Sequence, residues 1–174
     1  MSFRIIIDGY NLIRQSSTLR FYNSQELAKG RDKLIEMLAH YRTLKHHPVL
    51  VVFDGWQEGK LSEHRTKEKG IDIIYSKRGE KADGVIKRLV SNSKDELIVV
   101  TSDREIARFC QSGRCEVITS PSFEEKMGFS SLARMKGLDD DDDERPLLQS
   151  TKKKGPARKL PKSKRRLLRR LKKL

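Results

Sequence analysis

The 174-residue chain has two cysteines, one tryptophan and no apolar run near the ~18 residues that a membrane-crossing helix needs. Cys110 and Cys115 lack the second pair that would complete a four-cysteine zinc site, and the histidines stand elsewhere, so the two read as structural thiols. The basic start, long apolar stretch and cleavage site of a signal peptide are missing from the N-terminus, which makes a soluble, cytoplasmic protein the expectation. No GxxxxGKS/T phosphate loop occurs, and this removes the simple NTPase reading. His40, His46, His47 and His64 sit beside no apparent nucleophile, so a Ser/His or Cys/His hydrolase has no support.

Acids are missing where bases abound. Residues 145–174 hold fourteen Lys or Arg and no Asp or Glu, whereas residues 1–144 hold 24 of each sign. The whole formal net charge of +14 therefore belongs to the C-terminal stretch. Lys and Arg in such excess neutralise phosphates, which makes nucleic acid the favoured partner and an anionic membrane the second. The leucines among the last basic residues make a narrow apolar side without Trp or Phe, and this counts against the membrane.

Alternating strand and helix patterns occupy the first three quarters of the chain. Phe3 to Ile7, Val49 to Phe53, Ile71 to Tyr75 and Leu97 to Val100 read as buried strands, with a weaker one at Glu116 to Ile118. Leu27, Leu34, Met37, Leu38, Tyr41 and Leu44 predict an amphipathic helix from about Ser24 to Lys45. Further helices are expected over Ala82 to Val90 and Arg104 to Gln111, while residues 9–23, 54–70 and 76–81 read as turns and polar connections. The class is α/β, with a mainly parallel, helix-covered sheet. Beyond Gly137 come six consecutive acids, Asp139 to Glu144, and then a Lys/Arg-rich stretch. This divides the chain into a domain over 1–137 and an acidic-then-basic tail over 138–174, expected to be disordered at least over 139–162.

Three of the strand patterns run into an aspartate: Asp8, Asp54 and, after Thr101 and Ser102, Asp103. Parallel strands bring their ends to one sheet edge, where open α/β folds keep their sites. Gathered acids repel unless a cation lies between them, and oxygen ligands of this kind suit Mg²⁺ or Mn²⁺. The alternative is that aspartates simply begin turns. Asp83 and Glu80 lie at the start of a helix, where an acid also meets the dipole favourably. Asn11 is placed either to orient Asp8 or a metal-bound water, or to cap a helix. The Thr101 and Ser102 hydroxyls stand beside Asp103, to bond a phosphate or to hold the aspartate. Arg104 is a candidate phosphate contact and Trp56 a candidate stacking surface for a base.

Ile7-Asp8-Gly9-Tyr10-Asn11-Leu12, Val52-Phe53-Asp54-Gly55, Gly79-Glu80-Lys81-Ala82-Asp83 and Val100-Thr101-Ser102-Asp103-Arg104, in this order, resemble the NYN domain of the PIN-like nuclease superfamily, in its YacP-type branch. The resemblance covers about residues 3–135. It implies a PIN-like three-layer α/β/α fold and Mg²⁺- or Mn²⁺-dependent endoribonuclease activity, linked in this branch to cleavage of messenger RNA at the ribosome. It makes Asp8, Asp83 and Asp103 metal ligands and catalytic acids, with Asn11 and Asp54 lining the site and Ser102 as its small hydroxyl residue. Lys81 and Gly84 depart from the pattern, which has a small hydroxyl residue and a further polar or acidic one there. RNA contacts are expected from Lys81, Arg104 and Trp56, and from Lys152, Lys153, Lys154, Arg165, Arg166, Arg169 and Arg170 of the tail. A non-catalytic RNA- or ribosome-binding adaptor on the same fold is the alternative.

Overall fold

The computed structural model describes residues 3–55, 62–111 and 115–135. Among these, strand β1 (Arg4–Asp8) leads into helices α1 (Gly9–Gln15), α2 (Ser17–Gln25) and α3 (Leu27–Lys45). There follow β2 (Val49–Phe53), β3 (His64–Glu68), β4 (Ile71–Tyr75), α4 (Ala82–Asn92), β5 (Leu97–Val100), α5 (Arg104–Gln111), β6 (Cys115–Ile118) and α6 (Ser120–Met135). The six strands form one sheet in the order β3-β4-β2-β1-β5-β6. Every pairing is parallel except that of β3 with β4.

The parallel strands are apolar on both faces because helices cover both. Successive residues alternate between two cores: Ile5, Ile7, Val51 and Val100 pack against α1, α2, α3 and α6, while Ile6, Val52, Ile74 and Val99 pack against α4 and α5. This is the three-layer α/β/α architecture that the sequence predicts. Each such Ile or Val, withdrawn almost wholly from water, contributes about 1.5–3 kcal/mol. Cys110 and Cys115 are buried, free thiols of the second core.

The structure departs from the sequence reading in four places. The long helix expected from Ser24 begins at Leu27, because Glu26 takes an extended conformation (φ −163°, ψ 135°) that separates it from α2. Residues 9–15 and 17–23, expected as turn, are helical and belong to α1 and α2, each helix capped by the side chain just before it, Asp8 and Ser16. His64–Glu68 is a polar antiparallel edge strand with no buried residue, so it carries no hydrophobic pattern to read. Helix α6 also went unread, although Thr119, whose Oγ1 accepts the Ser122 backbone N–H, and Pro121 in the first turn mark its start. The expected boundary near Gly137 and the tail beyond it lie outside the described residues.

Among the described residues no helix is long and apolar enough to cross a membrane. The sheet order fixes where a site can form. From β1 the chain moves outward to β2 and β4, then returns to place β5 on the other side of β1. The direction reverses between β1 and β5, and open α/β sheets bind ligands in the crevice beyond the strand ends at such a reversal.

Candidate functional site

Asp8 is the last residue of β1 and Asp103 follows β5 by three residues, so the two flank that crevice. Asp8 is buried, and its two oxygens are held differently. Oδ1 accepts the backbone N–H of Asn11 at 3.2 Å, which caps α1, and Oδ2 accepts the Thr101 hydroxyl at 3.3 Å. Asp103 caps α5, its Oδ1 accepting the backbone N–H groups of Glu105 at 2.6 Å and Ile106 at 3.1 Å. Asp54, at the end of β2, accepts the Ala82 N–H at 2.6 Å and so caps α4 from another part of the chain. The α4 N-cap residue Lys81 makes no such bond with its own side chain. Capping and assembly at one edge are thus properties of the same three aspartates.

Asp83 lies in the first turn of α4 and is partly buried. The electrostatics join the four acids. Burial pushes the Asp8 carboxyl up to about 6, with the charges of Asp83 and Asp54 adding to the rise against the opposing Asn11 and Thr101 bonds. Asp83 is likewise raised, by burial first and then by Asp103. A neighbouring cation offsets such repulsion and favours the charged form. Lys87, one turn along α4 from Asp83, supplies part of that offset: it is hydrogen-bonded to Glu105 of α5, with Asp83 and Asp103 adding to the rise of its own pKa.

Among the described residues no three His, Cys, Asp or Glu side chains form a group tight enough to enclose a metal ion. The donor set still fits a hard divalent cation, because it consists of carboxylate oxygens, and a bound cation would offset the burial and repulsion that raise Asp8 and Asp83. Mg²⁺ characteristically keeps several waters and takes one or two protein carboxylates directly.

The remaining candidates divide by what they touch. Asn11 does not orient Asp8 through its side chain, as the sequence suggested it could; the backbone N–H does that. Its Oδ1 instead accepts the Ser102 backbone N–H at 2.9 Å and the Ser120 hydroxyl at 2.8 Å. Thr101 holds Asp8, and the Ser102 Oγ accepts the Ser120 N–H at 3.3 Å. Glu80 is turned to Arg88, which bonds its Oε1 at 2.6 Å and also bonds Glu63, so Glu80 stands outside the acid group. Arg104 and Lys81 are exposed at the starts of α5 and α4. Trp56 and the tail residues Lys152, Lys153, Lys154, Arg165, Arg166, Arg169 and Arg170 lie outside the described residues.

Two serines that the sequence did not single out complete the frame. Ser76 is buried after β4. Its hydroxyl accepts the Gly55 N–H at 3.0 Å and donates to the Glu80 carbonyl at 2.5 Å, tying the residue after Asp54 to the turn before Asp83. Ser120, wholly buried, opens α6 and reaches both Asn11 and Ser102. Their hydroxyls become informative only when strands distant in sequence are brought together.

The family model of the YacP-like NYN domain matches residues 5–173 of this chain. The chain belongs to that family. The match runs through the basic C-terminal stretch, beyond residue 135 where the sequence reading ended the resemblance. The protein YacP of Bacillus subtilis (strain 168) is 30% identical over 102 residues, which are 57% of this chain and 59% of that protein. The chain thus spans about three-fifths of the length of this curated relative. The crystal structure of Rae1 (YacP) from Bacillus subtilis superposes with a TM-score of 0.64 at 24% identity, over 79% of this chain and 80% of that one. A mutant of the same protein gives a TM-score of 0.66 at 21% identity, over 77% and 80%. At these identities the superpositions establish the fold, and the nuclease-like character of the domain comes with the NYN family.

Proposed function

We propose that this family member is a divalent-cation-dependent endoribonuclease that cleaves RNA phosphodiester bonds, with messenger RNA at the ribosome, in the cytoplasm, as its setting. The observation that carries the reading is the buried Asp8, repelled by Asp54 and Asp83, at the strand-order reversal. Asp8, Asp83 and Asp103 would hold Mg²⁺ or Mn²⁺, which when bound supplies an activated water for in-line attack and steadies the leaving oxygen. The chain's own groups prepare that arrangement. Thr101 and the Asn11 N–H fix the Asp8 carboxylate in one orientation. Asp54 anchors the α4 turn that carries Asp83. Arg104 and Lys81, exposed beside the acids in sequence, are the first phosphate contacts, with the basic tail extending them.

The test is a labelled RNA incubated with the purified protein in Mg²⁺, in Mn²⁺ and in EDTA, beside Asp83→Asn. Asp83 is chosen because it caps no helix, so its loss separates chemistry from folding. Cleavage in the cation lanes alone, lost in Asp83→Asn, is the expected result; equal cleavage by the variant removes Asp83 from the site. A second reading, a non-catalytic RNA- or ribosome-binding adaptor, is favoured by the capping roles of Asp8, Asp54 and Asp103 and by the absence, among the described residues, of three acids close enough together to enclose a metal ion. Under that reading no lane shows cleavage, while RNA is still bound.

A further inference from the structure

The amide of Asn11 has only one orientation compatible with its neighbours. The atom facing β5 and α6 meets two donors, the Ser102 backbone N–H at 2.9 Å and the Ser120 hydroxyl at 2.8 Å. An N–H cannot reverse its role, so the facing atom must be the carbonyl oxygen, and the network assigns the amide. Both Oδ1 lone pairs are then in use, which leaves Oδ1 no role as a metal ligand. The Nδ2 group projects from the other branch of the amide plane, away from Ser102 and Ser120, and no described residue accepts from it. Asn11 is the third residue of α1, in the turn that Asp8 caps, so this free NH₂ stands at the same sheet edge as the acids.

We infer that Ser120 is a positioning residue of the site: its buried hydroxyl locks the Asn11 amide so that Asn11 presents N–H donors, not a carbonyl, to an anionic oxygen brought to the acid cluster. Taking that oxygen as one of an RNA phosphate rests on the nuclease reading above; the locking itself does not. The acids repel a phosphate, and an amide donor bonds its oxygen without adding a charge that competes with a cation. Ser120 suits the task because its backbone N–H is separately bonded to the Ser102 Oγ at 3.3 Å, which fixes the start of α6 whatever the hydroxyl does. Helix α6 is thereby connected to the crevice through both the hydroxyl and the backbone N–H of Ser120.

The test uses the full-length, ¹⁵N-labelled protein and two readouts. In the wild type the Asn11 side-chain NH₂ gives one sharp pair of proton resonances. In Ser120→Ala, which removes a hydroxyl without adding bulk, the pair should broaden or split as the amide loses one of its two restraints, while the backbone resonances of α6 stay in place. In the cleavage assay at saturating Mn²⁺, Ser120→Ala should lower kcat about tenfold with KM within about twofold, as for a positioning loss of about 1.4 kcal/mol. Asn11→Asp keeps both accepted bonds but puts an oxygen where the NH₂ was, and should lower kcat about a hundredfold, the cost of losing a donor at a reacting oxygen. An Asn11 pair unchanged in Ser120→Ala overturns the inference, and so does full kcat in Asn11→Asp, because a purely structural brace would survive that change. If the wild type cuts no RNA under any cation, the nuclease reading falls, and the resonance arm alone decides whether Ser120 locks Asn11.

Discussion

Asp54 Oδ1 accepts the backbone N–H of Ala82, 28 residues further along the chain, at 2.6 Å. A strand-end carboxylate therefore starts the helix that presents Asp83, and the two acids are linked by folding as well as by charge. Asp54→Asn keeps an acceptor oxygen and should unfold close to the wild type. Asp54→Ala leaves the α4 turn uncapped and should lose about 0.5–2 kcal/mol in urea denaturation. Equal losses in both variants would mean that the charge, not the cap, is what α4 uses.

Asp8 gives a pH dependence with a definite sign. Its carboxyl is pushed up from 3.8 to about 6 in the folded protein, so the folded state binds the proton more tightly than the unfolded chain. The stability tied to protonated Asp8 is complete below about pH 4 and is lost as pH rises through about 6. In EDTA, Asp8→Asn, which stays neutral and can still accept from Asn11, should equal the wild type near pH 4. It should exceed it at pH 7 by on the order of 3 kcal/mol, since each pH unit between the two values corresponds to about 1.4 kcal/mol. Urea midpoints at four pH values measure this; a difference that does not change with pH would remove burial and repulsion as the cause.

Gly55 is the tightest point of the frame. A Cβ there would lie 1.8 Å from the Ser76 carbonyl oxygen, a backbone atom fixed by the Ser76 N–H bond to Phe53 and by the Ser76 hydroxyl bonds. Gly55→Ala should therefore cost more than the about 1–3 kcal/mol of ordinary overpacking, with RNA cleavage falling alongside it. Gly79 is the contrast: its φ is +85° but nothing lies within 4 Å of its Cβ position, so Gly79→Ala should cost only backbone strain, about 1–2 kcal/mol. Similar losses at the two sites would argue against the close approach at Gly55.

How much of this was legible depended on whether the signal was local. The parallel strands β1, β2, β4 and β5 were readable because most of their residues are buried and their runs are mainly apolar, whereas β6, an edge strand interrupted by Glu116 and buried only at its two ends, gave a weaker pattern. Asp8, Asp54 and Asp103 were readable because they end or closely follow such runs. Strand β3 was not, since its side chains are held at a polar edge by pairing with β4 rather than by burial. Helices α1 and α2 are short, and α2 fully buries only Leu19, too few positions to show a helical period. Ser76 and Ser120 carry no pattern at all. Their roles arise from hydrogen bonds that span 21 and 109 residues of sequence.

The basic stretch yields the last prediction. Its fourteen Lys and Arg residues follow the final acid, Glu144, so it can neutralise phosphates but holds no carboxylate to add to the site. A chain ended after Gly137 retains every described residue, and at saturating short RNA it should cleave at nearly the full rate. Its affinity should fall, and so should the steepness with which affinity declines in salt, by about 0.7 in the log–log slope for each single-strand phosphate that the tail no longer neutralises. The family match runs through residue 173, so the stretch lies within the part of the chain that the family model covers. The six acids at 139–144 stand between domain and bases and can occupy the bases when RNA is absent. Replacing them with Ser and Gly should then raise RNA affinity most at low salt, where screening over ~8–10 Å no longer hides the attraction. Equal salt slopes for the full and shortened chains would exclude the stretch from RNA binding, and an affinity unchanged by the acid replacement at low salt would reduce the acidic run to a spacer.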